Sequence, residues 1–267
     1  MAFDVKFYFP DENTRWLVNQ FETIEFDGSA VFNDTFIPRS DSALVFHFGE
    51  PPSIIEPVQV KMPFFFIAPV LRTSLTLEIK NKLSSFIAVC KTSVLSRLLG
   101  VDMTPIPSFN IEPDYEKIYP LWRLLKKEIS TESRIRCFTE FINNLPNTPY
   151  INDELYIIYE NIIKRSVSIP LAELLQESPV NNRSLRRYFK KRVGLSPKTL
   201  SRIVRVNYVW NEIKSQNSID FQRLIFDGGY FDQAHFINDF KLITGESPSH
   251  FFKRDLQIVK MISGKVK

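Results

Sequence analysis

Apolar residues in the first third of the chain occur in short runs separated by turn residues. Runs of this length that are rich in Phe, Val and Ile and end at Pro or Asp-Gly are typical of β-strands. The pattern predicts strands over Phe3–Phe9, Val31–Ile37, Ala43–Phe48, Phe64–Pro69 and Leu75–Ile79. Several short strands in succession indicate a β-sandwich or a small barrel.

The apolar spacing changes to three and four near Thr92, which is the period of a helix. A helix over Thr92–Leu99 would end at Gly100, because glycine readily takes the left-handed C-cap conformation. Two more helices are predicted over Tyr115–Ile129 and Glu132–Asn144. Their apolar positions are Leu121, Leu124, Leu125 and Ile129 in the first and Ile135, Phe138, Phe141 and Ile142 in the second.

The segment Leu145–Pro149 contains two prolines and is the predicted linker between two domains. Beyond it the whole pattern is helical. The predicted helix starts are Asn152 or Asp153, Pro170, Asn181, Ser196-Pro197, Ile219, Asp232 and Ser247-Pro248. We therefore expect an α+β protein. Its first domain, rich in strands, would span residues 1–146, its helical domain residues 150–258, and a basic tail residues 259–267.

A motif in the helical part occurs twice at an offset of 51 residues. The sequence F-K-x-x-x-G-x-S-P runs from Phe189 to Pro197 and again from Phe240 to Pro248. The Phe faces a core, the Gly ends one helix, and Ser-Pro caps and begins the next. A short predicted helix precedes each copy, so the repeat indicates two helix-turn-helix units. A duplicated helical hairpin without a role in DNA binding is the alternative.

The helix that carries the first copy has a strongly basic face. Arg183, Arg186, Arg187 and Lys190 fall within an arc of about 100° when the helix is projected down its axis. Between Arg183 and Arg205 there are nine Lys or Arg and no Asp or Glu. A stripe of one charge sign repels itself and favours a phosphate backbone, and Arg can also bind guanine in the major groove. With these four residues, Asn182 is predicted to contact DNA, and Asn181, Lys191, Lys198 and Arg202 to contact phosphates.

The equivalent helix of the second copy is less charged. Its predicted DNA-facing residues are Gln233, Ala234, Ile237, Asn238 and Lys241. Amide side chains can bind adenine, and Ala or Ile can contact a thymine methyl group. We expect the first unit to supply much of the electrostatic attraction and the second a weaker or shape-sensitive contact. His235 is expected to have a structural role near the start of this helix.

The segment Gly228–Phe236, with Phe240-Lys241, Gly245 and Ser247-Pro248, resembles the signature of AraC/XylS-family bacterial regulators. The resemblance covers about residues 152–256. It implies two helix-turn-helix subdomains joined by a long helix, Ser196–Lys214. Base-reading positions would then be Arg183, Arg186 and Arg187 in the first recognition helix, and Gln233, Ala234, Ile237 and Asn238 in the second. Residues 1–146 resemble the cupin-like regulatory domains of the family, and helices at about 115–144 would then dimerise.

The charge distribution agrees with a single DNA-binding half. Residues 1–149 carry 15 basic and 18 acidic side chains, whereas residues 150–267 carry 19 and 12. Together with this charge distribution, the resemblance implies a sequence-specific transcriptional activator that binds double-stranded DNA and RNA polymerase. A small-molecule effector and a homodimer are further expectations. The alternatives are a ligand-responsive sensor whose effector switches DNA affinity and, third, a catalytic cupin fused to a DNA-binding module.

Other features point away from catalysis, secretion and membranes. There are three histidines, and only His47 lies among the strands, so no metal, cofactor or catalytic residue is predicted. His47 is interpreted as a hydrogen-bonded strand residue, and Phe64-Phe65-Phe66 as core. Cys90 and Cys137 are expected to be reduced and buried. No signal peptide or long apolar segment is recognisable, which predicts a cytoplasmic protein without a membrane partner.

Overall fold

In the part of the chain that the structure describes, nine β-strands precede the helices. A computed structural model describes residues 3–28, 30–104, 115–145, 153–177, 182–215 and 221–253. The strands are β1 Phe3–Tyr8, β2 Val18–Phe26, β3 Phe32–Phe36, β4 Ser42–His47, β5 Ser53–Glu56, β6 Val60–Lys61, β7 Phe65–Ala68, β8 Leu75–Ile79 and β9 Leu83–Cys90.

The strands form two antiparallel sheets. The first has five strands in the order β1-β2-β9-β4-β7, and the second has four in the order β3-β8-β5-β6. The central strand β9 pairs along most of its length with β2 and with β4. Phe26 of β2 lies opposite Leu83, and Phe46 of β4 lies opposite Phe86. The prediction of a sandwich or barrel is therefore confirmed.

Both faces of the five-stranded sheet are covered, which explains why its strands are rich in Phe. Side chains alternate between the faces of a strand. In β4, Ala43, Val45 and His47 line a cavity between the sheets. Leu44 and Phe46 belong to the core beneath the helices that follow the strands. Such a strand contains few polar positions, and its period-two signal is weak.

Three helices complete this domain. They are α1 Thr92–Leu99, α2 Tyr115–Leu125 and α3 Thr131–Asn143. Gly100 ends α1 in the left-handed conformation with φ 67°, as predicted. The side chain of Ser130 accepts a hydrogen bond from the Ser133 amide and caps α3. Phe138 of α3 packs edge-on against Phe21 of the sheet, with ring centroids 5.4 Å apart.

The remaining described helices form the second domain. They are α4 Glu154–Arg165, α5 Leu171–Gln176, α6 Asn182–Val193, α7 Pro197–Ser215, α8 Phe221–Asp227, α9 Gln233–Thr244 and α10 Pro248–Phe251. Asp153, Ser196, Asp232 and Ser247 each accept a backbone N–H at a helix start. The predicted caps are confirmed at these four positions, whereas the predicted cap Asn181 lies outside the described residues.

The repeated motif has the same structure in both copies. The apolar pair of each copy is buried in one continuous core: Leu185 with Phe189, and Phe236 with Phe240. Gly194 and Gly245 adopt φ of 84° and 85°. Leu200 and Phe251, each three residues after the motif's Pro, are fully buried. The two units are therefore equivalent helix-turn-helix substructures, α5–α6 and α8–α9, joined by α7.

Some predictions about the first domain were wrong. No strand was predicted at β2, β5, β6 or β9, and helix α2 ends at Leu125, four residues before the predicted end. Leu124 and Ile129 were counted among the apolar positions of this helix, yet Leu124 is exposed and Ile129 is 97% exposed. Because the helix ends early, Ile129 no longer lies on its apolar face. Phe64 is half exposed, whereas Phe65 and Phe66 are buried as predicted.

The two cysteines are free thiols in different environments. Cys90 is fully buried and Cys137 is half-buried. The predicted linker Leu145–Pro149 overlaps residues outside the described part of the chain, and the basic tail 259–267 lies wholly outside it. In the described ranges, no helix is both long enough and apolar enough to cross a bilayer.

Candidate nucleic-acid interface

Helix α6 presents the predicted basic residues on one exposed surface. Arg183, Arg186, Arg187 and Lys190 are exposed, whereas Leu185 and Phe189 of the same helix are buried. We call these four exposed residues the basic face. Among the described residues, no carboxylate forms an ion pair with Arg186 or Arg187. The surface therefore keeps positive charge that an external polyanion can neutralise.

Tyr188 lies at the edge of the basic face. A helical projection places Tyr188 on the same side of α6 as the buried Leu185 and Phe189, but it is 47% exposed. The Arg187 guanidinium lies 4.9 Å from the Tyr188 ring centroid, and its Nη2 donates a hydrogen bond to Tyr188 Oη at 3.2 Å. The contact restricts the Arg187 side chain, and it lowers the entropy that this side chain loses on binding DNA.

Arg192, Arg202 and Arg205, which lie further along the same basic stretch, form ion pairs with carboxylates of the protein. Arg192 donates to the Ser93 carbonyl and to Asp153 Oδ2, the latter at 2.9 Å. Arg202 and Arg205 pair with Asp239 at 3.1 Å each. Arg202, a predicted phosphate contact, thus has an internal counterion, and its side chain is 29% exposed. Lys191 and Lys198 are exposed and remain in the predicted set.

Asp239, Arg202 and Arg205 form a buried ionic cluster between α7 and α9. The Asp239 side chain is only 4% exposed, and Arg205 also donates to the Gly229 carbonyl at 3.2 Å. The Arg205 guanidinium lies 4.8 Å from the Tyr230 ring centroid. Breaking such a buried pair leaves a charge without a counterion, which is costly. The cluster therefore fixes α9 to α7.

Helix α9 exposes the predicted reading residues. Gln233, Ala234, Asn238 and Lys241 are exposed, and Ile237 is half-buried against the core. The Asp232 side chain caps the helix by accepting the His235 amide at 2.7 Å. The His235 ring packs edge-on against Tyr230 at 5.1 Å. The structural role expected of His235 is consistent with these contacts.

The comparisons with known proteins identify this part of the chain. Residues 174–254 match the family model described as a helix-turn-helix domain, of the AraC type. The C-terminal domain is an AraC-type helix-turn-helix domain. The match includes α6, α7 and α9 and therefore both exposed surfaces. Asn182 belongs to the matched helix α6, but its side chain lies outside the described set.

Solved structures of ToxT from Vibrio cholerae are similar to the whole chain. One covers 87% of this chain and 97% of its own, at 14% identity and a TM-score of 0.46. A ToxT structure with (E)-4-(8-methylnaphthalen-1-yl)but-3-enoic acid has 11% identity, 95% and 99% coverage and a TM-score of 0.46. An unsaturated fatty acid-bound ToxT has 14% identity, 94% and 95% coverage and a TM-score of 0.42. TM-scores below 0.5 establish neither a shared site nor a shared ligand. No curated protein matches the chain.

The N-terminal domain contacts the AraC-type domain at the end of each recognition helix. At α6, the Lys191 carbonyl accepts the Met103 amide at 2.9 Å, next to the bonds of Arg192 to Ser93. At α9, the Ile243 carbonyl accepts the Ser74 amide at 2.8 Å. The N-terminal domain thus holds the C-terminal turns of both helices and leaves their predicted DNA-facing residues exposed.

A third contact joins the β-sheet to α4. Tyr159 Oη donates to Asp41 Oδ1 at 2.6 Å, and the Tyr159 side chain is 1% exposed. Burial raises the pKa of both groups, although the Tyr159 bond opposes this for Asp41. Asp41 also lines the cavity between the sheets. The sequence offered no signal for this pair, which links residues 118 positions apart.

The cavity between the sheets is the second candidate site. It has a volume of about 150 Å³, and its wall is mostly aliphatic and aromatic. Its polar members are Glu22, Arg39, Asp41, His47 and Ser85. Within the described ranges, no group of three His, Cys, Asp or Glu side chains lies close enough together to hold a metal ion.

Proposed function

We propose that this protein is a sequence-specific transcription regulator that binds duplex DNA through α6 and α9. The observation that carries the proposal is the basic face of α6, which stays exposed while Arg192, Arg202 and Arg205 form internal ion pairs. The AraC-type domain supports it further. The proposed base-reading residues are Arg183, Arg186 and Arg187 of α6. In the second unit they are Gln233, Ala234, Ile237 and Asn238 of α9.

The division of labour between the two helices follows from their charges. The basic face supplies four cationic side chains, whereas Lys241 is the single cation among the five predicted DNA-facing residues of α9. Contacts to phosphates determine affinity and contacts to base edges determine specificity. We therefore propose that α6 contributes most of the salt-dependent affinity. The exposed amides of α9 would then refine the sequence preference.

The wider biology is also proposed. A regulator of bacterial promoters acts in the cytoplasm, and we propose that location and an activator role exerted with RNA polymerase. We propose that the protein regulates transcription without catalysing a reaction, and that it forms a homodimer through the region of α2 and α3.

An affinity measurement tests the DNA-binding proposal. Duplexes are selected in vitro from genomic fragments with the full-length protein, and fluorescence anisotropy gives the dissociation constants. The double variant Arg186→Ala, Arg187→Ala should weaken specific binding by at least about 30-fold, since each base-reading Arg contributes roughly 1–3 kcal/mol.

The matched control is Lys80→Ala with Lys82→Ala. These two exposed residues lie between β8 and β9, so the control removes the same charge from the other domain and from outside the region of α2 and α3. It should leave the affinity within about twofold of the wild type, because charges beyond a Debye length are screened. Equal losses in both double variants would contradict the assignment of the basic face.

We also propose that the N-terminal domain senses a small molecule and transmits its presence to DNA binding. The cavity supplies a site, and Asp41 connects its wall to α4 through Tyr159. Tyr159→Phe removes this bond while keeping the ring, and it should change the affinity for the selected duplex. Tyr156→Phe, on the same helix, is the control and should have no effect. An unchanged affinity of Tyr159→Phe would rule out this route.

A further inference from the structure

The charged side chains that line the cavity already have hydrogen-bonding or ion-pair partners within the protein. Arg39 Nη1 lies 2.6 Å from Glu22 Oε1, and the Glu22 side chain is 1% exposed. Gln20 Nε2 also donates to Glu22 Oε1 at 3.0 Å. The one cation of the wall is therefore paired with a buried carboxylate, and Asp41 is a second carboxylate with Tyr159 as its partner.

This arrangement disfavours charged ligands. An anion would have to compete with Glu22 for Arg39, and it would face Asp41 in a wall that is otherwise apolar. A cation would find both carboxylates already engaged, Glu22 by Arg39 and Asp41 by Tyr159. Moving an ion from water into such a cavity has a large desolvation cost when the cavity offers no unpaired counterion.

His47 provides a different kind of contact. Its side chain lines the cavity and is buried, and Nδ1 lies 2.8 Å from Ser85 Oγ. Among the described residues, Nε2 has no hydrogen-bond partner. Burial lowers the pKa of His47 to about 4, so the ring is neutral near pH 7. The expectation of a fully hydrogen-bonded strand histidine is therefore wrong at this nitrogen.

A buried polar atom without a partner is costly, and a ligand that pairs with it regains that free energy. A neutral imidazole with Nδ1 bonded to a hydroxyl can either donate or accept at Nε2, depending on its tautomer. A hydroxyl group on the ligand satisfies either case. The size of the cavity adds a second restriction, because an apolar cavity of about 150 Å³ accommodates a molecule such as benzene.

We propose that the cavity binds an uncharged compound of about one ring, with a single hydroxyl group hydrogen-bonded to His47 Nε2. The inference rests on the ligand-sensing part of the proposed function and names the chemical class of the ligand. The ring packs against alternate residues of the two sheets, such as Val45, Leu77 and Ile87. The Arg39–Glu22 pair remains intact in the complex.

The test compares four probes that share a ring. Isothermal titration calorimetry on the full-length protein without DNA gives the affinities of phenol, benzene, benzoate and benzylamine. Phenol should bind on the order of fivefold more tightly than benzene, the gain expected of one net hydrogen bond. Benzoate and benzylamine should bind at least about 50-fold more weakly than phenol. Absence of phenol binding, or tighter binding of either ion, would overturn the proposal.

Two variants locate the site. His47→Leu should leave benzene binding within about twofold and abolish the preference for phenol. A preserved preference would show that Nε2 is not the partner. Ala43→Phe places a ring in the cavity and should abolish binding of phenol and benzene. If that variant fails to fold, the phenol-to-benzene ratio in His47→Leu still decides.

The calorimetry separates this proposal from the proposed function. It contains no DNA, so phenol binding would stand even if the protein bound no duplex. Conversely, DNA binding that depends on the basic face would stand if the cavity bound none of the four probes.

Discussion

The buried ionic cluster gives the sharpest prediction about the second recognition helix. Asp239 is 4% exposed and pairs with Arg202 and Arg205, whose side chains are 29% and 16% exposed. Asp239→Asn keeps the shape of the side chain and leaves both guanidinium groups without their counterion. Removal of one partner from a buried pair costs about 3–5 kcal/mol. Since both arginines keep some contact with water, we expect the lower end, about 3 kcal/mol.

Hydrogen–deuterium exchange of the full-length protein measures this cost locally. Amides of α7 and α9 that open together should exchange roughly 100-fold faster in Asp239→Asn. The control is Asp227→Asn, because Asp227 forms an exposed pair with Arg223 at 3.7 Å. An exposed pair contributes little, so that variant should change the exchange less than fivefold. If the two variants exchange alike, the cluster does not hold α9 to α7.

Three further predictions concern the domain contact, the backbone and the pH dependence. Arg192→Ala should loosen the contact between the two domains in a small-angle scattering measurement, since the Arg192 side chain bonds to Ser93 and Asp153. Lys191→Ala should weaken DNA binding without loosening that contact, because the Lys191 side chain is exposed. Gly229 and Gly245 both have positive φ, but Gly229→Ala should lower the free energy of unfolding more than Gly245→Ala. Of the two, only the new Cβ at position 229 would meet a backbone carbonyl oxygen, at 2.6 Å. The free energy of unfolding should fall as the pH drops from 6.5 to about 4, because His47 is protonated in the unfolded chain but stays neutral when folded. His47→Gln should reduce this dependence of the free energy of unfolding on pH, measured by urea titrations.

The sequence predicted the helical domain better than the sheets. Each helix-turn-helix unit is local, and its caps, glycines and buried pair lie within short segments. The strand β9 was missed although it is central, because both of its faces are buried and its residues do not alternate between apolar and polar. A strand of that kind cannot be distinguished from other apolar runs by periodicity.

The candidate site was predictable only in part for a similar reason. A helical projection finds the side of α6 that carries Arg186 and Arg187. It does not reveal which basic residues meet a carboxylate from a distant segment. Arg192 meets Asp153, and Arg202 meets Asp239, only after the chain has folded.

Dimethyl sulfate protection on a selected duplex is the most direct test of DNA reading by the two recognition helices. Methylation occurs at guanine N7 in the major groove, the atom that an Arg contact covers. The wild-type protein should protect guanines in one major-groove segment, with a footprint that extends to a second segment about 10 base pairs away. Arg186→Ala with Arg187→Ala should restore reactivity in the first segment alone. A protection pattern that is the same in this variant and in the wild type would contradict the account.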